Sequence, residues 1–154
     1  MLITAAVIFS LMLEAAKLSG FEPVTKEELP IVTQLAPAEL ANKICGENWD
    51  VKRNCGKYKA AYFSETNELV YSDDINLDSD LGKSIIVHEL VHVLQAKKFG
   101  TEKKTCGQLI DMELQAYTTQ DRYMILHDHF DTHLRSIIPH MKCSPLTESK
   151  REIR

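Results

Sequence analysis

Between Leu81 and Phe99 the chain carries Ile85, Ile86, Val87, Leu90, Val91, Val93, Leu94 and Ala96, a run so apolar that it leaves almost no polar face for water. Helical spacing, with Lys97 and Lys98 in the last turn and Gly100 as a stop, reads as one long α-helix. A helix that is apolar nearly all round belongs in the middle of a fold, so the rest of the chain must be arranged to cover it. Yet between Ile85 and Ala96 three ionisable residues interrupt the apolar run, in the order His88-Glu89-Leu90-Val91-His92.

That segment is H-E-x-x-H. Helical residues four apart lie about 40° apart around the axis, so both imidazoles leave the same face and can hold one metal ion. Glu89 flanks that face and can reach a water on the metal without becoming a ligand, which is the position of a general base. Two histidines and a glutamate among Ile, Val and Leu are costly to bury unless paired or bound to a metal. A catalytic zinc site needs a third protein ligand and an open fourth position. No histidine follows on the same helix, and the best later candidate is Glu113, on a second predicted helix over Leu109 to about Leu126. There Leu109, Glu113, Ala116, Tyr117 and Gln120 share one face, and Ala116 permits a close approach of the two helices.

The segments HELVHVLQ at 88–95, ELVYSDDINL at 68–77 and MELQAY at 112–117 together resemble the small gluzincin-type zinc metallopeptidases, or minigluzincins. The resemblance covers roughly residues 58–126 and is specific at the two helices. It implies an α+β, zincin-like fold in which a small β-hairpin or sheet packs on the active-site helix and the ligand-bearing helix that follows. It also implies one zinc per chain held by His88, His92 and Glu113, with Glu89 as base and a peptide or protein as substrate. Larger gluzincins place an acidic residue four positions after the third ligand to orient a histidine; here that position is Tyr117. Orientation by Gln120, by Asp121 or by a backbone carbonyl stays open. Tyr117 or one of the later histidines is the candidate to stabilise an oxyanion. A rival reading is a non-catalytic module in which zinc only ties the two helices together.

The remaining segments organise around this centre. Leu2 to Leu13 is an apolar run too short to span a bilayer; residues 1–18 read either as a secretory signal or as an N-terminal apolar helix, and 19–154 as a single domain. Residues 21–36 read as an irregular lead-in with a short helix near Lys26 to Leu29. Pro37 opens a short amphipathic helix ending near Gly46. Ala60 to Phe63 and Leu69 to Tyr71 form a hairpin whose second strand offers an edge to an extended peptide. Asp80 opens the long helix, its carboxylate at the positive end of the dipole.

Cys45, Cys55, Cys106 and Cys143 contain no C-x-x-C pair, which argues against a zinc knuckle or a thioredoxin-type site. An even count favours disulfides Cys45–Cys55 and Cys106–Cys143, and hence a secreted or periplasmic chain. The 154 residues, with 18 Lys and Arg against 22 Asp and Glu and a net charge of −4, suit one monomeric domain without a basic stripe for nucleic acid. His127, Asp128, His129, Asp131, His133 and His140 lack apolar surroundings and read as a polar helix end or loop, and the tail after Pro145 as a charged extension.

Overall fold

The computed structural model describes residues 3–46, 55–130 and Cys143, and within them the chain forms four α-helices and a three-stranded sheet. The α+β class expected from the sequence is what these elements build. The loop centred on residues 47–54, the residues His133, His140 and Asp131, and the charged tail lie outside the described residues.

Helix α1 spans Ala5–Ser19. Thr4 caps it by accepting the Val7 N–H at 3.2 Å, and Gly20, in the left-handed region at φ 83°, ends it by donating to the Ala16 carbonyl. Its buried residues are Ile8, Leu11, Met12, Ala15 and Ala16, the i, i+3, i+4, i+7, i+8 stripe of a helix with one face in the core. The apolar start of the chain is therefore packed as part of the domain, against the two long helices. Among the described residues no helix is long and apolar enough to cross a membrane.

A 3₁₀ turn over Lys26–Glu28 leads into strand β1, Ile31–Leu35. The turn falls where the sequence suggested a short helix, but the strand was not anticipated. It is short, lies between Pro30 and Pro37, and buries neither face fully, so it shows no clean alternation; its conformation comes from pairing with a neighbour distant in sequence. Helix α2, Pro37–Cys45, begins on Pro37, with the Glu39 carboxylate accepting the Ala36 N–H at 3.1 Å, and ends at Gly46 as expected.

Strands β2, Ala60–Phe63, and β3, Glu68–Ser72, pair antiparallel as the expected hairpin, with Ala61 opposite Val70. Strand β1 then adds parallel to the other side of β3, Val32 opposite Leu69, so the order is β1-β3-β2. This corrects one expectation: Leu69 to Tyr71 lies in the middle strand, hydrogen-bonded on both sides, and offers no edge to a peptide. Both faces of the sheet are covered. Ala60, Tyr62, Leu69 and Tyr71 face the main core, whereas Ala61 and Val70, pointing the other way, pack with Leu40 of α2.

Helix α3, Asp80–Phe99, is the central helix, buried continuously from Ile86 through Gln95. Ser79 rather than Asp80 caps it, accepting the Gly82 N–H at 3.0 Å, while Asp80 occupies the first turn. Gly82 is required by close approach: a Cβ there would collide with the Asn76 carbonyl. Helix α4, Cys106–Leu126, starts three residues before the predicted position because Thr105 and Gln108 cap each other reciprocally, at 3.2 and 2.8 Å. Ala116 is fully buried in the main core, where the absence of a larger side chain lets α4 lie close to α3. Arg122 of α4 donates to the Leu18 carbonyl at 2.8 Å, closing α1 onto the pair.

The cysteines pair as expected. Cys45–Cys55 joins the end of α2 to the segment before β2, and Cys106–Cys143 joins the first residue of α4 to a residue 37 positions on.

Candidate metal centre

Helices α3 and α4 bring three side chains to one point. His88 and His92, one turn apart on α3, are buried, and Glu113 reaches them from α4: its Oε2 lies 3.2 Å from His88 Nε2 and its Oε1 3.0 Å from His92 Nε2. One donor atom from each of the three lies within 4.8 Å of the others, the spacing that a single metal ion spans. Among the described residues this is the one such group of His, Cys, Asp and Glu. Glu89, also buried, occupies the adjacent position on α3.

The far side of each imidazole is held by a glutamine. His92 Nδ1 lies 2.8 Å from Gln95 Oε1, and the Gln95 amide nitrogen donates to the Met112 carbonyl and to Gln115 Oε1, both at 2.9 Å. His88 Nδ1 lies 3.1 Å from Gln120 Oε1, whose amide nitrogen donates to Ser84 Oγ at 3.1 Å; Ser84 in turn donates to the Leu81 carbonyl. Each chain ends on a backbone carbonyl, which can only accept, and this sets its polarity. The amide nitrogens must face the carbonyl ends, the amide oxygens must face the rings, and both Nδ1 atoms must carry the proton.

Neutral imidazoles so oriented turn bare Nε2 lone pairs toward the Glu113 carboxylate. Two lone pairs converging on an anion repel one another unless positive charge stands between them, either a proton on each ring or one shared metal ion. The donor set of two imidazole nitrogens and one carboxylate, with oriented rings, fits a divalent metal. Burial alone would push the Glu113 carboxyl up; positive charge at the two imidazoles, when they are protonated, outweighs burial and holds it well below the usual carboxylate range, so the pocket favours a carboxylate that faces a cation.

Tyr117, one turn beyond Glu113, packs its ring edge-on against His88 with 4.4 Å between centroids. Burial, reinforced by the negative charges of Glu113 and Glu89, pushes its hydroxyl up to about 12. It stays a proton donor at neutral pH. Tyr58, which precedes β2, is raised by burial and by the charge of Glu113. Of the residues expected around the metal, His88, His92 and Glu113 converge, Gln120 orients His88, and Tyr117 walls the site; Asp121 is buried one position beyond Gln120. Sequence reasoning missed Tyr58 and Gln95. For Gln95 a signal was present: an uncharged amide directly after Val93 and Leu94 on a buried helix must find partners, and it stands one turn after His92.

The histidine-rich segment after α4 starts elsewhere. His129 Nε2 bonds Asp80 Oδ2 at 2.8 Å, while His127 lies between Asp80 and Glu14, 3.8 Å from each, so these residues bring the end of α4 beside the first turn of α3 and the second half of α1. No family model matches this chain, and no curated protein or solved structure shows significant similarity to it.

Proposed function

We propose that this chain is a zinc-dependent hydrolase that cleaves peptide bonds, with His88, His92 and Glu113 as metal ligands and Glu89 as general base. The observation that carries the reading is the orientation of the two imidazoles: glutamines hold both rings by Nδ1, so both Nε2 atoms face the Glu113 carboxylate at one point, where a metal ion would satisfy all three. A set of two imidazole nitrogens and one carboxylate oxygen suits zinc, and three protein donors rather than four suit a catalytic rather than a purely structural ion. When bound, zinc supplies Lewis acidity, lowering the pKa of water toward ~7 and polarising a carbonyl oxygen.

The residues of the chain do the rest. Glu89, next to His88 and not engaged as a ligand, accepts the proton of the attacking water and returns it to the departing amine. The Tyr117 hydroxyl, kept protonated by its surroundings, donates a hydrogen bond to the oxygen on which negative charge develops. Two disulfides support a working location in an oxidising compartment, outside the cytosol.

The test is removal and return of the metal. Purified protein is expected to contain about one zinc equivalent and to hydrolyse a mixed peptide library. A chelator is expected to abolish that activity and stoichiometric zinc to restore it. Protein that binds zinc tightly but cleaves no member of the library would favour the metal-tied binding module instead.

A further inference from the structure

Gln95 is fully buried and makes three bonds, each to a structure that carries a metal ligand. Its oxygen accepts from His92 on its own helix. Its nitrogen crosses to α4 and bonds the Met112 carbonyl, immediately before Glu113, and the side chain of Gln115, two residues after it. Gln120 makes the opposite crossing, from α4 to His88 and Ser84 of α3, but both of its partners belong to one helix.

Resting on the metal reading above, we infer that Gln95 is a positioning residue that sets two of the three ligands together: the ring of His92 through its oxygen, and the turn that presents Glu113 through its nitrogen. The reason lies in the chemistry of a primary amide. A carboxylate at this position accepts from His92 but cannot donate to α4, an aliphatic side chain does neither, and only the amide does both at the observed distances. Rotation or sliding of α4 by a fraction of a turn would carry Glu113 off the metal, and the bonds to Met112 and Gln115 oppose such a shift at the residues flanking it.

The experiment uses Co²⁺ as a spectroscopic probe with the full chain, comparing wild type, Gln95→Glu, Glu113→Ala and the double variant. Gln95→Glu keeps the acceptor for His92 and loses the donor to α4. Its Co²⁺ affinity is expected to fall about 10–100-fold, the range for lost orienting partners. In the Glu113→Ala background the same substitution is expected to cost less than 3-fold, because the ligand it positions is gone. Gln95→Leu, which also releases His92, is expected to weaken binding in both backgrounds. Equal losses from Gln95→Glu in both backgrounds, or unchanged affinity in Gln95→Glu beside a wild type that binds normally, would overturn the role of Gln95 and leave the metal reading standing. A wild type that binds no Co²⁺ would overturn both. One measurement needs no variant: ¹⁵N shifts of His92 in metal-free wild type are expected to report the proton on Nδ1, and a neutral ring protonated on Nε2 would overturn the inference.

Discussion

Glu113 Oε1 stands 3.0 Å from His92 Nε2, although the two residues belong to different helices joined by a connection that includes a glycine stop. This pairing makes the candidate metal site a property of how α4 docks on α3. Glu113→Ala is expected to lower zinc affinity by at least 100-fold while the far-ultraviolet spectrum stays that of the wild type. Retention of a full zinc equivalent against a competing chelator would remove Glu113 from the ligand set.

Helix α1 holds the domain together through one face only. Met12 is fully buried and Leu13, its neighbour, is 45% exposed. Met12→Ala is therefore expected to destabilise by about 2–5 kcal/mol, through lost apolar burial and the cavity left behind, and Leu13→Ala by under about 1 kcal/mol. Denaturant titration checks the contrast. Equal, small effects at both positions would mean that the helix is not packed in the core of the folded protein.

Asp80 links the first turn of α3 to the residues following α4. Its carboxyl is held below the usual carboxylate value, first by the hydrogen bond from His129 and then by the nearby His127. A carboxyl depressed in the folded state contributes stability above its unfolded pKa and loses it as pH falls through the folded value. Wild type is thus expected to exceed Asp80→Asn in stability at pH 5 to 6, with the difference shrinking below about pH 4. Urea titrations across that range read it directly, and a difference that grows on acidification would contradict the pairing.

The Cys106–Cys143 bond closes a loop of 37 residues. Chain entropy assigns such a closure about 4 kcal/mol. Because it anchors the first residue of the helix carrying Glu113, reduction is expected to lower the melting temperature by roughly 10 °C and to weaken zinc binding. Four titratable thiols in protein purified without reductant would show that the bond does not form.

Elements that carry their own local signal were legible in the sequence. The periodicity of Leu81 to Phe99 located α3, H-E-x-x-H located two members of the cluster on one face, and the following helix with Glu113 and the small Ala116 located the third. What escaped was set by partners distant in sequence. Strand β1 exists because β3 pairs with it, and that pairing moved Leu69 to Tyr71 from the edge to the centre of the sheet. Helix starts shifted with side-chain caps: Ser79 displaced Asp80 from that role, and Thr105 with Gln108 lengthened α4. Gln95 escaped because an amide inside a helix announces only that it needs partners; which partners depends on the phase at which α4 docks.

The most direct measurement is paired. Glu89→Gln preserves the size of the side chain and its ability to hydrogen-bond but cannot accept the proton of the attacking water. Zinc content by elemental analysis and peptide turnover should be read on the same preparations of wild type and variant. One zinc equivalent is expected in both, with a fall in turnover of about 10²–10⁴-fold in the variant. Equal turnover at equal zinc content would contradict the role of Glu89 as general base.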